Sequence, residues 1–168
     1  MPGITSSKAR TGFTLVELVI VVAVIAIVAT IAIVNLLRSR MSANEAAAVA
    51  NTRMISTAEI AFKTAGFFDS DGDGSGDYGT LDQLGNPDGS GTTQPFIDTV
   101  LATGNRLGYI YTVNVTLGSA TTQAAYTCTA IPAVPGRTGY RQFFVDETGV
   151  VRYTGDGTTP TATSSPVD

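Results

Sequence analysis

Histidine is absent from these 168 residues, and cysteine occurs once, at Cys128. Without imidazole the chain has no side chain whose ordinary pKa suits a general base near neutrality. No G-x-S-x-G, Walker loop or H-E-x-x-H supplies another catalytic core, so the chain reads as a non-enzyme. A lone cysteine excludes an internal disulfide. Cys128 lies in an alternating stretch, Ala125 to Ala130, and reads as a small buried strand residue rather than a reactive thiol. Charge is sparse as well, at 14% of residues with a formal net of −4. Phosphate binding needs clustered Lys and Arg, so nucleic acid is not expected as a main partner. Aromatic residues are almost missing before Gly66. Only Phe13 and Phe62 occur there, 49 positions apart, which excludes a stacked aromatic path along that stretch.

What is abundant is a long apolar run. Gly12 to Leu37, GFTLVELVIVVAVIAIVATIAIVNLL, carries a single acid, Glu17, near its start. As a helix at ~1.5 Å per residue it reaches about 37 Å, enough for a hydrocarbon core of about 30 Å. It is too long for the apolar core of a secretory signal, and no A-x-A-like site closes it. Lys8 and Arg10 precede it, but Arg38 and Arg40 follow it, so flanking charge alone does not orient the span. A carboxylate in a membrane helix costs roughly 2.5–3.5 kcal/mol at the centre and less near an end. The helix dipole favours Glu17 in the first turn. Two readings stand: an anchor whose Glu17 reaches back to the interface, or a carboxylate kept for a free amine made by cleavage between Gly12 and Phe13.

The G-F-T-L-V-E-L segment, behind a short basic stub and before a long apolar helix, resembles the processing motif of type IV prepilins and type II secretion pseudopilins. The resemblance implies a leader at 1–12 removed by a prepilin peptidase after Gly12, with N-methylation of Phe13. It implies that Glu17 neutralises the Phe13 amine of an adjacent subunit as a homopolymeric helical filament forms. Further implied partners are an assembly platform and ATPase, and the inner membrane, which the precursor spans once. The filament would stand at the cell surface, or in the periplasm as a pseudopilus. Opposite charges a few Å apart in low dielectric attract far more strongly than in water, and an unpaired buried carboxylate is costly. Loss of the leader takes the formal charge from −4 to −6. The competing reading is an uncleaved, membrane-anchored binding or adhesion module.

The helix is expected over 13–66, about 80 Å long, with its apolar half at 13–37. Ala50, Met54, Ala58 and Ala61, with Ile55 and Phe62, form the expected core stripe, Arg and Glu taking the other faces. Gly66 after Lys63 is the stop signal. Many type IV pilins carry a glycine and a proline in this helix. Here Ala26 and Val34 stand at those positions, so a continuous helix is expected.

Composition changes abruptly in the connecting region, 67–106. Asp69, Asp71, Asp73 and Gly74 follow the D-x-D-x-D-G spacing of a calcium loop, and Asp77 falls at its ninth position. The twelfth position is Thr80 rather than glutamate, and Asp82 lies two residues on. A structural calcium and a solvated acidic turn both fit; no other cofactor is indicated. Thr80-Leu81-Asp82-Gln83 has the form of a capping box for a helix ending at Gly85. Pro95 to Thr103 reads as a second short helix, with Phe96, Val100 and Leu101 inward and Gly104 as its stop. Region 107–153 reads as antiparallel strands at Leu107–Leu117, Ala124–Ile131, Tyr140–Val145 and Val150–Tyr153, the last pair joined by Asp146–Gly149. GYIYT and YRQFFVDETGVVRY also resemble pilin-like proteins. The expected fold class is therefore α+β, a long helix packed on a small antiparallel sheet, with 154–168 as a flexible tail.

Overall fold

The computed structural model describes residues 12–119 and 121–167, so the leader call at 1–12 falls almost wholly outside the described residues. The chain divides into two compact units, Met1–Arg38 and Ser39–Asp168. Helix α1, Leu15–Ala65, contributes to both. It is one helix because neither glycine nor proline interrupts it, and Ala26 and Val34 lie inside it as anticipated. It ends where the sequence signals: Gly66 adopts φ +66°, and its N–H donates to the Lys63 carbonyl at 3.1 Å.

In the first unit the described helical residues are exposed, and the side chains form few bonds. Thr30 Oγ1 donates to the Ala26 carbonyl at 2.9 Å, which keeps its hydroxyl satisfied without a partner outside the helix.

The second unit is an antiparallel meander over which the later part of α1 packs. Strands β1 (Asn105–Arg106), β2 (Tyr109–Thr116), β3 (Ala125–Pro132), β4 (Gln142–Asp146), β5 (Arg152–Thr154) and β6 (Ser165–Pro166) lie in chain order in one sheet. The β2/β3 register pairs Tyr111 with Ala130 and Val113 with Cys128. Alternation along β2 buries Tyr109 and Tyr111 and exposes Ile110, Thr112 and Asn114. Cys128 is fully buried, as its place in the alternation required, and burial pushes its thiol up to about 12. The core joins Ala48, Ile55, Ala58 and Phe62 of α1 to Tyr109, Tyr126, Phe143 and Val145 of the sheet.

The buried face of α1 differs from the expected stripe. Ala50 and Met54 are exposed, whereas Glu45, Asn51, Thr52, Ser56 and Glu59 are buried beside Ile55 and Phe62. Asn51, Ser56, Glu59 and Glu45 each meet a group that needs a partner. Asn51 Nδ2 donates to the Tyr111 hydroxyl at 3.0 Å, and the Tyr126 hydroxyl donates to Ser56 Oγ at 2.9 Å. Glu59 accepts from the Gly79 N–H at 2.9 Å. Glu45 accepts from the Tyr140 and Arg141 N–H groups and from Arg141 Nε at 2.7 Å. The sheet therefore presents tyrosine hydroxyls and loop N–H groups to the helix, and a purely apolar stripe would have left them unsatisfied.

Between helix and sheet, α2 (Leu81–Gly85) begins at the expected capping box, with Thr80 and Gln83 bonding each other's backbone N–H. Helix α3 is shorter than expected, Thr99–Ala102, because Asp98 rather than the proline turn caps it. Leu101 and Ile97 turn inward while Val100 is 56% exposed, which corrects the expected face. The tail, expected as a flexible end, instead closes the sheet. Ser165 pairs with Tyr153, Pro166 with Arg152, and Val167 packs against the core. The Thr/Ser/Pro composition that suggested flexibility does not register a two-residue edge strand.

Candidate functional site

Gly12, Phe13 and Glu17 lie together at the start of α1. Gly12 has open space where a Cβ would point, and Phe13 is 87% exposed. Thr14 caps the helix. Its N–H and hydroxyl both donate to Glu17 Oε2, at 3.0 and 2.8 Å, while the Glu17 N–H donates back to Thr14 Oγ1 at 3.2 Å. This is a reciprocal capping box, and Thr14 and Glu17 carry its T-x-x-E signature in the sequence. One oxygen of Glu17 is thus committed to the helix's own first turn. The other is free of bonds within the described chain, and both oxygens sit beside a terminus rich in unpaired N–H groups. Phe13 and Leu18, at the positions of a hydrophobic staple, line one small apolar surface with Val21 and Val22. An exposed Gly–Phe bond, a carboxylate held one turn beyond it and an apolar helix thus occupy one short segment.

The acidic loop forms a second cluster. Carboxylate oxygens of Asp69, Asp71 and Asp73 lie within 4.8 Å of one another. A cation with Ca–O bonds of about 2.4 Å could be reached from all three. Each also supports the turn: Asp69 accepts from the N–H groups of Gly72 and Gly74 at 2.8 and 3.0 Å, and Asp73 from Ser75 at 2.7 Å. The Gly74 N–H, together with the other turn donors, holds the Asp69 carboxyl below the usual range. Asp77, placed with these three by sequence spacing, is engaged elsewhere. It is buried and accepts from the Ser70 N–H at 2.9 Å, the Ser70 hydroxyl at 2.5 Å and the Gly118 N–H at 2.7 Å. Burial pushes its carboxyl up, but those donors and the Lys63 charge outweigh it and hold Asp77 low. Asp77 thereby ties the loop to the end of β2. Nothing local in the sequence pointed to Gly118, 41 residues away. Between the two segments lies a cavity of about 290 Å³, lined by Asp71, Asp73, Asp77, Ser119, Thr121 and Thr122 among others.

Residues 7–33 match the family model of the prokaryotic N-terminal methylation motif. The match covers the Gly12–Phe13 junction, Glu17 and most of the apolar run, and supports a type IV pilin- or pseudopilin-like prepilin. The long helix on a six-stranded antiparallel sheet agrees with the pilin-like α+β fold. The motif is that of a structural subunit rather than an enzyme, and the apolar helix is consistent with an inner-membrane-anchored precursor. No curated protein and no solved structure matches the chain.

Proposed function

We propose that this chain is a filament subunit of a type IV pilus or a secretion pseudopilus, cut after Gly12, methylated on Phe13 and polymerised through α1. The observation that carries the reading is the pairing of the methylation motif over residues 7–33 with Glu17 held in the first turn of an exposed apolar helix. A prepilin peptidase acts on the junction. Glu17 then meets the new amine of Phe13 on a neighbouring subunit, its free oxygen serving as the acceptor. The membrane holds α1 first, and neighbouring copies of α1 hold it after assembly by a platform and its ATPase. Calcium has a structural place in this scheme at Asp69, Asp71 and Asp73, where three hard oxygen donors converge. Asp77 braces the loop rather than entering that group.

The test of processing is substitution at the junction. Gly12→Leu in cells with a working peptidase should leave the leader attached, seen as a precursor-sized band on denaturing gels. Normal conversion of that variant to the shorter form would remove the cleavage site from Gly12.

A further inference from the structure

Residues 76–79, the segment that leaves the acidic loop, are buried where they cross the last turns of α1. Two glycines make this approach possible. A Cβ at Gly76 would overlap the Lys63 carbonyl oxygen, and one at Gly79 would stand 3.0 Å from the Phe62 ring. Tyr78, between them, is held by its ring, 4.8 Å from that of Tyr126, and by Lys63 Nζ, 4.7 Å from its centroid. Against this segment lies Glu59, fully buried. Its Oε2 accepts from the Gly79 N–H at 2.9 Å, whereas Oε1 has no partner among the described residues. A buried carboxylate ordinarily gathers several donors or a cation. Glu59 has one donor and, among the described residues, no salt bridge.

We propose that residues 76–79 are a proton-dependent strap on α1: Glu59 with its proton keeps the strap seated, and loss of that proton releases it. The groups around Glu59 supply no counter-charge. Tyr78 comes from the strap and Tyr126 and Cys128 from β3; burial pushes all three up, so they are neutral near pH 7. Lys63, one turn on along α1, is turned to the Tyr78 ring, and Glu147 of the β4–β5 turn brings a further negative charge near that ring. Asp77, the strap's own acid, is satisfied by Ser70 and Gly118. Ionised Glu59 would thus be an enclosed charge with a single N–H donor, and lifting the strap hydrates it at less cost than unfolding helix or sheet. Residues 71–75, which lead into the strap, are exposed and carry glycines at 72 and 74, so this is the part of the unit least held by packing. Burial raises the Glu59 pKa to about 7 against the pull of the Gly79 N–H, and opening returns it toward 4.5. The seated form is favoured in full below about 4.5 and loses that advantage as pH rises through about 7. The strap lies wholly within the second unit and is independent of how α1 is used in a filament.

Amide exchange, read residue by residue by NMR on the full-length protein in detergent with chelator present, tests the strap. Local release predicts that the Asp77 and Gly79 amides lose protection about 30-fold between pH 5.5 and 8, as a carboxyl whose pKa falls from about 7 to about 4.5 on opening requires. At pH 8 they should be roughly tenfold or more less protected than Cys128 and Ala130 of β3, and urea below the unfolding transition should leave their rates unchanged. In Glu59→Gln, protection at both amides should stay within about threefold across that range. Protection at Gly79 equal to that of β3 at both pH values would make the effect one of global unfolding and overturn the strap. Low protection at Gly79 without pH dependence would overturn Glu59 as its control. If Glu59→Gln does not fold, the wild type decides. The pH at which Gly79 protection levels off must coincide with the midpoint of the Glu59 carboxyl-carbon shift, and separate values would overturn the coupling.

Discussion

The two parts of α1 invert the usual relation between polarity and burial. Before Arg38, valines, isoleucines and leucines are exposed along the helix; Leu15 is 79% exposed and Ile31 65%. After Ser39, two glutamates, an asparagine, a threonine and a serine are buried. The later part has its partner within the chain, a sheet whose tyrosine hydroxyls and loop N–H groups require polar answers from the helix. The earlier part presents an apolar surface too large to leave in water, at roughly 25 cal/mol per Å², and its charged group is at one end. One helix thus carries two interfaces of opposite character. The chemistry of each face tells which partner it is made for.

The contrast between the two parts of α1 turns first on Glu17. On the proposed scheme Glu17→Ala removes the one charged side chain from the apolar run at 12–37, so the helix should still insert and be processed. Filament yield in sheared fractions should fall on the order of 100-fold, the equivalent of losing about 3 kcal/mol from a buried charge pair. Undiminished yield would show that the Phe13 amine needs no such partner. In the later part the largest effect belongs to Phe62, which is 1% exposed and stacks near Phe67 and Phe96 with ring centroids 5.9 and 5.7 Å away. Phe62→Ala should cost about 3–5 kcal/mol in denaturant unfolding of the detergent-solubilised protein while leaving membrane insertion intact.

The acidic loop gives a smaller and conditional effect. If Asp69, Asp71 and Asp73 hold calcium, saturating the site at about 100 times its Kd should add about 2.7 kcal/mol. Asp71→Asn with Asp73→Asn should abolish that gain, and an unchanged melting temperature with and without chelator would dismiss the site.

Glu59 makes the stability of the later part depend on pH. It is fully buried, Oε2 accepts from Gly79, and Oε1 has no partner among the described residues. Burial raises its pKa to about 7 against an ordinary 4.5, with the Gly79 N–H pulling the other way. The folded state therefore binds the proton more readily than the unfolded one. Glu59's stabilising contribution is complete below about 4.5 and is lost as pH rises through about 7. Glu45 and Asp77, whose carboxyls are held low, act in the opposite direction at more acidic pH. For Glu45 burial raises the pKa, but the Tyr140 and Arg141 donors prevail. Unfolding free energy should thus decline by about 2 kcal/mol between pH 5.5 and 8, and Glu59→Gln should flatten that slope.

Much of this arrangement was legible in the sequence because it is local. The helix stop at Gly66, the Thr80–Gln83 capping box, the alternation of β2 and the burial of Cys128 all follow from residues within one turn or one strand. The junction at Gly12, Phe13 and Glu17 was legible for the same reason. What escaped was settled by distant partners. Glu45 and Glu59 looked like solvent-facing charges because periodicity scores them as polar; it cannot see the N–H groups of Tyr140 or Gly79. Asp77 fits a calcium spacing in one dimension, yet Ser70 and Gly118 claim it in three. The tail's pairing with β5 depends on register and packing rather than composition.

On the proposed function Phe13, not Met1, begins the mature subunit. Mass spectrometry of the N-terminal peptide from a sheared cell-surface fraction tests it most directly. The expected result is a peptide that starts at Phe13 and carries one added methyl group on its amine. Intact Met1, found in membranes alone from cells with a working peptidase, would contradict it and make the chain an anchored binding module.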